Sequence, residues 1–171
     1  MPRHVAFLRG VSPQNLQMAD LRACLEAAGF TAVRTIQSSG NVAFDCPDEA
    51  GAGLEQRIAS ALSRHVGRAF PVILRSAASL QALLRTDPYQ GFGLPRQAKR
   101  IVSFLRETRP AKVSLPLTEG TATVIHQRGR EVFSAYLPSP EGPVFMKLIQ
   151  RAYGTEVTTR TWETVKKCAT A

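Results

Sequence analysis

One arrangement occurs twice in this chain and limits what it can become: a glycine-centred turn followed by an apolar strand, in Gln37-Ser-Ser-Gly-Asn-Val-Ala-Phe44 and again in His126-Gln-Arg-Gly-Arg-Glu-Val-Phe133. After each, a loop, a helical pattern and a short closing strand follow in the same order. Before the first turn, His4 to Arg9 is a short β-branched and aromatic run that ends at Gly10 and predicts a strand. From Met18 to Ala28, Leu21, Cys24, Leu25 and Ala28 recur at the spacing of one helical face, and Gly29 stands where a left-handed cap is expected. Thr31–Gln37 and Asn41–Asp45 form a hairpin around Gly40. Leu54, Ile58, Ala61 and Leu62 predict a second helix ending near Gly67. Phe70–Arg75 is a strand that Pro71 confines to an edge or a strand start, because proline cannot donate to a ladder. The order is βαββαβ.

The same order is expected further on. Ser76 opens a linker helix that stops before Asp87-Pro88, and Tyr89–Gln97 is a Gly/Pro-punctuated loop. Arg100–Leu105 predicts a strand, Ala122–His126 and Val132–Leu137 a second hairpin, Val144–Tyr153 a helix stopped by Gly154, and Glu156–Thr159 a last strand, with a helical turn or two from Trp162 to Cys168. Residues 109–120 hold Pro110, Pro116 and Gly120, so the crossover there is short or irregular. Because βαββαβ roofs one sheet face with two helices, the fold class expected is α+β, with two ferredoxin-like halves in tandem and mainly antiparallel sheets. The divisions expected are 1–75 for the first half, 76–99 for the linker helix and loop, and 100–171 for the second half with its tail.

With 44% hydrophobic and 20% charged residues in 171, the composition is that of a globular chain. The longest apolar runs fall far short of the ~20 residues that cross a bilayer, so no membrane role is expected. Cys24, Cys46 and Cys168 are odd in number and widely spaced, without a CxxC pair, which predicts reduced thiols and no structural metal, and Met-Pro-Arg-His leading directly into a strand-like run predicts a cytoplasmic location. The formal charge of +9 is uneven along the chain: residues 1–75 carry eight Arg against six acids, and residues 76–171 fourteen Lys/Arg against seven acids. Such a field favours anionic partners without naming one.

No GxxxxGK[ST], GxGxxG, GxSxG or HExxH occurs, so the common phosphate-cradle, dinucleotide, serine-hydrolase and zinc-protease mechanisms have no anchor, and no cofactor is implied. His4, His65 and His126 stand alone and are expected to be structural or solvated. Three stretches carry ligand-binding candidates. The Ser38–Asn41 turn, with Ser39, Gly40 and Asn41, could show backbone N–H groups to an anion, Arg9 being a further candidate contact. Lys147 and Arg151 share a helix face, and Arg160 and the single tryptophan, Trp162, follow, so cations and an indole that could stack a base lie close in sequence. Arg96, Lys99, Arg100, Arg106, Arg109 and Lys112 bracket one strand with Glu107 as the only acid among them. Asn41–Asp45 lacks the aromatic and basic signature with which an RNA-recognition sheet stacks bases.

Ala6-Phe-Leu-Arg-Gly-Val11, Gln37-Ser-Ser-Gly-Asn-Val42, Gly129-Arg-Glu-Val-Phe133 and Thr158-Thr-Arg-Thr-Trp-Glu-Thr-Val165, taken in order, resemble the bacterial domain-of-unknown-function family 1697 over nearly the whole chain. The resemblance implies a tandem ferredoxin-like architecture and no assigned activity. The chain departs from the commoner family pattern after the first strand, where Ser12-Pro13-Gln14-Asn15 replaces a Gly-Gly-Lys-Asn-like loop. The expected function is binding of an anionic ligand, nucleic acid or nucleotide, through the basic second half. Two alternatives stand beside it: an enzyme acting on a small phosphorylated or acidic metabolite in a cleft between the halves, and a structural or self-associating domain. No catalytic residue is named by the sequence.

Overall fold

The computed structural model describes residues 1–140 and 144–171. Its contacts group the chain into two units, Met1–Arg85 with Thr164–Ala171, and Thr86–Glu163. The first unit contains β1 (Arg3–Leu8), α1 (Met18–Ala27), β2 (Thr31–Ile36), β3 (Asn41–Asp45), α2 (Ala52–Val66), β4 (Val72–Ser76) and α3 (Ala77–Arg85). Its strands form one antiparallel sheet in the order β2-β3-β1-β4, the ferredoxin-like order. Ala6, Leu8, Val42, Phe44, Val72 and Leu74 face α1 and α2 and close over Leu21, Leu25, Ile58 and Leu62. Every β1 side chain from His4 to Leu8 is buried, so both faces of this strand are covered, which is why it reads as a continuous apolar run.

β4 is an edge strand, and Pro71 sits just before it with its carbonyl accepting the Arg9 N–H at 3.0 Å. A buried carboxylate serves that edge: Glu55 of α2 accepts the Leu74 N–H at 3.1 Å. His4 is structural, with Nε2 3.2 Å from the Cys46 carbonyl and its ring against Phe44. All three cysteines are free and buried. Burial pushes the Cys24 thiol above its ordinary value, with Arg64 pulling weakly the other way, so it is a poor nucleophile.

The second unit contains β5 (Lys99–Leu105), β6 (Leu117–Glu119), β7 (Ala122–Arg128), β8 (Glu131–Tyr136), α4 (Phe145–Tyr153) and β9 (Val157–Thr161), all antiparallel in the order β6-β7-β8-β5-β9. Without β6, this is the first unit's order over again. One element of the duplicated plan has no counterpart. Where α1 would recur, residues 106–116 form neither helix nor strand, and β6 is added at the edge. The segment runs with Ala111, Val113, Leu115 and Leu117 turned toward Leu105, Val124, Val132 and the buried side of α4, and so covers the sheet in the helix's place. Side-chain and backbone bonds pin it. Arg109 donates to the Tyr153 carbonyl at 2.7 Å and the Lys112 N–H to the Ala152 carbonyl at 2.8 Å, satisfying two acceptors at the end of α4. Gln127 donates to the Arg109 carbonyl at 2.7 Å and accepts from the Tyr153 hydroxyl at 2.8 Å.

The final helix, α5 (Trp162–Ala169), begins in the second unit, and from Thr164 onward it belongs to the first. Both the tail from Thr164 onward and α3 group with the first unit, whereas the sequence divides them between a linker, 76–99, and the second half, 100–171. The charge follows. The first unit carries eleven Lys/Arg against six acids and the second eleven against seven, so the basic surplus expected of the second half is shared almost equally, because Arg85, Lys166 and Lys167 fold with the first unit.

Candidate functional site

Of the first unit's candidates, Asn41 is wholly buried, and its amide donates to the Ile36 carbonyl and to Ser39 Oγ, both at 3.0 Å. The side chain closes its own hairpin from within. Gly40 is buried at φ +87°, and its carbonyl accepts the Leu8 N–H at 2.9 Å. Gln37, just before the turn, accepts a hydrogen bond from the Thr164 hydroxyl at 3.0 Å. Arg9 is half-buried. Ser39 is exposed at the turn. The turn is thus built around bonds that hold the unit together. In the Ser12–Asn15 loop, Asn15 likewise bonds inward, accepting from the Ser12 N–H and donating to the Gly10 carbonyl, both at 2.8 Å.

In the second unit, Lys147 and Arg151 are exposed on α4. Arg160 is half-buried on β9, where it donates to the Thr159 carbonyl at 2.9 Å. Trp162 is only 6% exposed and packs edge-on against Tyr89, ring centres 5.5 Å apart. Its indole is core, with no open face for a base. Tyr89 itself is buried, donates to the Ile101 carbonyl at 2.6 Å, and meets Phe133 edge-on at 5.7 Å.

That aromatic group leads to His126 and Phe92, which the sequence does not mark as members of one site. The β7–β8 register slips between Val124 and His126: Val124 lies opposite Ser134, but His126 opposite Phe133. A bulge of this kind re-aims the side chains after it. Val124 points to the α4 side, Gln127 reaches Tyr153 there, and His126 and Arg128 turn to the face that carries Phe133. The His126 imidazole lies between two rings, Phe133 at 5.0 Å and Phe92 at 5.2 Å, the latter nearly parallel at 19°. Its Nε2 is 2.8 Å from the Pro88 carbonyl, an acceptor only, so Nε2 carries the proton and the ring orientation is fixed. Phe92 and Met1 are the exposed large hydrophobic residues among those described, Phe92 at 46%. Two guanidinium groups flank the cluster: Arg100 is 5.6 Å from the Tyr89 ring centre, and Arg128 is 5.6 Å from that of Phe133 while donating to the Thr86 hydroxyl at 2.9 Å. The one sequence signal for this site is Gly91-Phe92-Gly93, an aromatic residue held between two glycines at positive φ.

Burial raises the Tyr89 phenol far above its ordinary value; Arg100 opposes this weakly and Asp87 adds to it. The folded state keeps the proton that an unfolded tyrosine releases near pH 10, so its stability contribution is complete below about pH 10 and is lost as pH rises beyond it. Tyr89→Phe is therefore expected to cost about 1 kcal/mol at pH 8, from the lost bond to Ile101. The gap to wild type should narrow between pH 10 and 11, read as urea midpoints across that range; a gap independent of pH would contradict the assignment.

Among the described residues no group of His, Cys, Asp and Glu could hold a metal ion, and no helix is long and apolar enough to cross a membrane. Residues 1–133 match the family described as protein of unknown function DUF1697. The chain belongs to that family. No curated protein matches it. Among solved structures, this DUF1697 chain is similar to a conserved bacterial protein, SP0830 from Streptococcus pneumoniae, at 19% identity with a TM-score of 0.69, over 99% of this chain and 97% of that one. At that identity the likeness shows the shared fold.

Proposed function

We propose that this DUF1697 protein binds a phosphate-bearing anion of the nucleic-acid or nucleotide class on the face of the second unit where Arg100 and Arg128 flank the touching rings of Tyr89 and Phe133. The observation that carries the reading is that two exposed guanidinium groups are set against one aromatic cluster, Arg100 on the Tyr89 ring and Arg128 on the Phe133 ring. In the first unit Arg3, Arg22 and Arg57 meet Asp45, Glu26 and Asp48, while Arg34, Arg64, Arg68 and Arg85 are exposed outside any of these ion pairs. Arg96, Lys99, Arg100 and Arg128 are exposed, and among the described residues none meets a carboxylate at ion-pair distance. Exposed cations beside low-dielectric ring faces attract phosphate without first having to give up a carboxylate partner. The three free, buried cysteines support a reducing, cytoplasmic compartment for this activity.

The test is a salt titration of binding to mixed-sequence oligonucleotides. Log affinity should fall linearly with log salt, with a slope of about 0.7 to 0.9 for each phosphate contacted. Arg128→Ala and Arg100→Ala should each lower that slope by about one contact. An absence of binding at low salt, or slopes that neither substitution changes, would end the proposal and leave self-association as the reading to pursue.

A further inference from the structure

The geometry points to Phe92 as a base-stacking platform, which makes the ligand of the proposed face a single strand with unpaired bases; this rests on the anion-binding reading above and narrows it. A lone exposed apolar residue on a protein surface needs no explanation. Phe92 differs in how it is held. Its ring is nearly parallel to the His126 imidazole, the imidazole is fixed by its bond to the Pro88 carbonyl, and behind it Phe133 is fully buried. Three rings follow in succession, the outer pair stacked at 19° and the inner pair tilted at 35°, and the outermost member remains 46% exposed. A flexible exposed phenylalanine would lose rotamer freedom on meeting a ligand, whereas a ring already set against its neighbours has less left to lose.

The surroundings match a nucleotide chain rather than a second apolar surface. Arg128 lies against the same Phe133 ring, and Arg96, Lys99 and Arg100 follow Phe92 in sequence at intervals of a few residues. A base on Phe92 would therefore carry its phosphates into a cationic margin, the combination by which single-stranded nucleic acid is held without reading its sequence. Gly91 and Gly93, both at positive φ, let the chain present the ring on a tight turn. A duplex keeps its bases stacked inside and offers Phe92 nothing.

The test uses the full chain and three probes at one salt concentration: an unstructured oligothymidylate of about twelve nucleotides, an abasic oligomer of equal length, and a duplex. Wild type should bind the base-bearing strand about tenfold more tightly than the abasic one. Phe92→Leu, which keeps apolar bulk but has no ring, should abolish this preference while leaving the abasic and duplex affinities unchanged, and Phe92→Tyr should restore it. Equal thermal unfolding of the variants checks that the fold is intact. Abasic and base-bearing strands bound equally by wild type would overturn the platform and leave the anion-binding reading standing. A Phe92→Leu loss shared equally by all three probes would overturn it as well. Binding of none of them at low salt removes both readings together.

Discussion

Gly40→Ala is expected to destabilise the protein by about 2–4 kcal/mol, a fall in Tm on the order of 10 °C. Two costs combine. The backbone at Gly40 sits at φ +87°, where a side chain bearing a Cβ is strained. A Cβ built there would lie 2.8 Å from Val11 Cγ2 and 3.1 Å from the Cβ atoms of Leu8 and Val11, inside a turn whose carbonyl is already bonded to the Leu8 N–H. Leu8 is a fully buried β1 residue, and Val11 is a short, stiff β-branched side chain packed against the same core, so neither yields cheaply. The two costs can be separated, because Val11→Ala removes the closest atom but leaves the backbone strain. Gly40→Ala should cost about 1 kcal/mol less in the Val11→Ala background than in wild type, measured by urea denaturation as a double-mutant cycle. Strict additivity of the two substitutions would show that the contact with Val11 plays no part.

Phe133→Ala should cost about 3–5 kcal/mol, the range for emptying a fully buried aromatic site. Phe133 is the residue on which the second unit's aromatic group converges, with the His126, Tyr89 and Arg128 side chains all placed against its ring. Removing it leaves a cavity at the centre of β8 and takes away the support behind His126. Amide exchange should therefore rise first in β5, β7 and β8, the strands that pair around it, with the first unit's sheet affected less. Phe133→Leu, which fills most of the volume, is expected to cost only about 1–1.5 kcal/mol. Equal losses for the two substitutions would mean that the site collapses or that the ring carries less than its contacts suggest.

How far the sequence disclosed this architecture differed between the two units for a physical reason. In the first, each element carried two agreeing signals, such as the face of Leu21, Cys24 and Leu25 ended by Gly29, or the apolar run of β4 introduced by Pro71, and the observed bounds lie within a residue or two of the expected ones. In the second, the segment after β5 has a period of two in Ala111, Val113, Leu115 and Leu117, the mark of an extended chain covering a core, but Pro110, Pro116 and Gly120 obscure it. The expectation around Lys147, Arg160 and Trp162 rested on nearness along the chain. Burying a large indole outweighs showing it to solvent, and Trp162 lies beside Tyr89 in the core. Phe92 and His126 are far apart in sequence and meet through a loop and a bulge, and neither periodicity nor spacing encodes where a strand will slip its register.

The carboxylate of Glu55 has a bearing on how this protein meets its own copies. Exposed strand margins recruit other chains through their open backbone donors, the first step toward fibrous aggregates. On β4 the Leu74 donor is already occupied from above by a helix side chain, and the chain enters that strand through a proline that has no donor at all. The opposite margin, β2, slips its register between Thr31 and Arg34, and Arg3 binds the Ala32 carbonyl there at 3.1 Å. An incoming strand would find both flanks of this sheet interrupted, a safeguard assembled from one buried acid, one proline and one arginine.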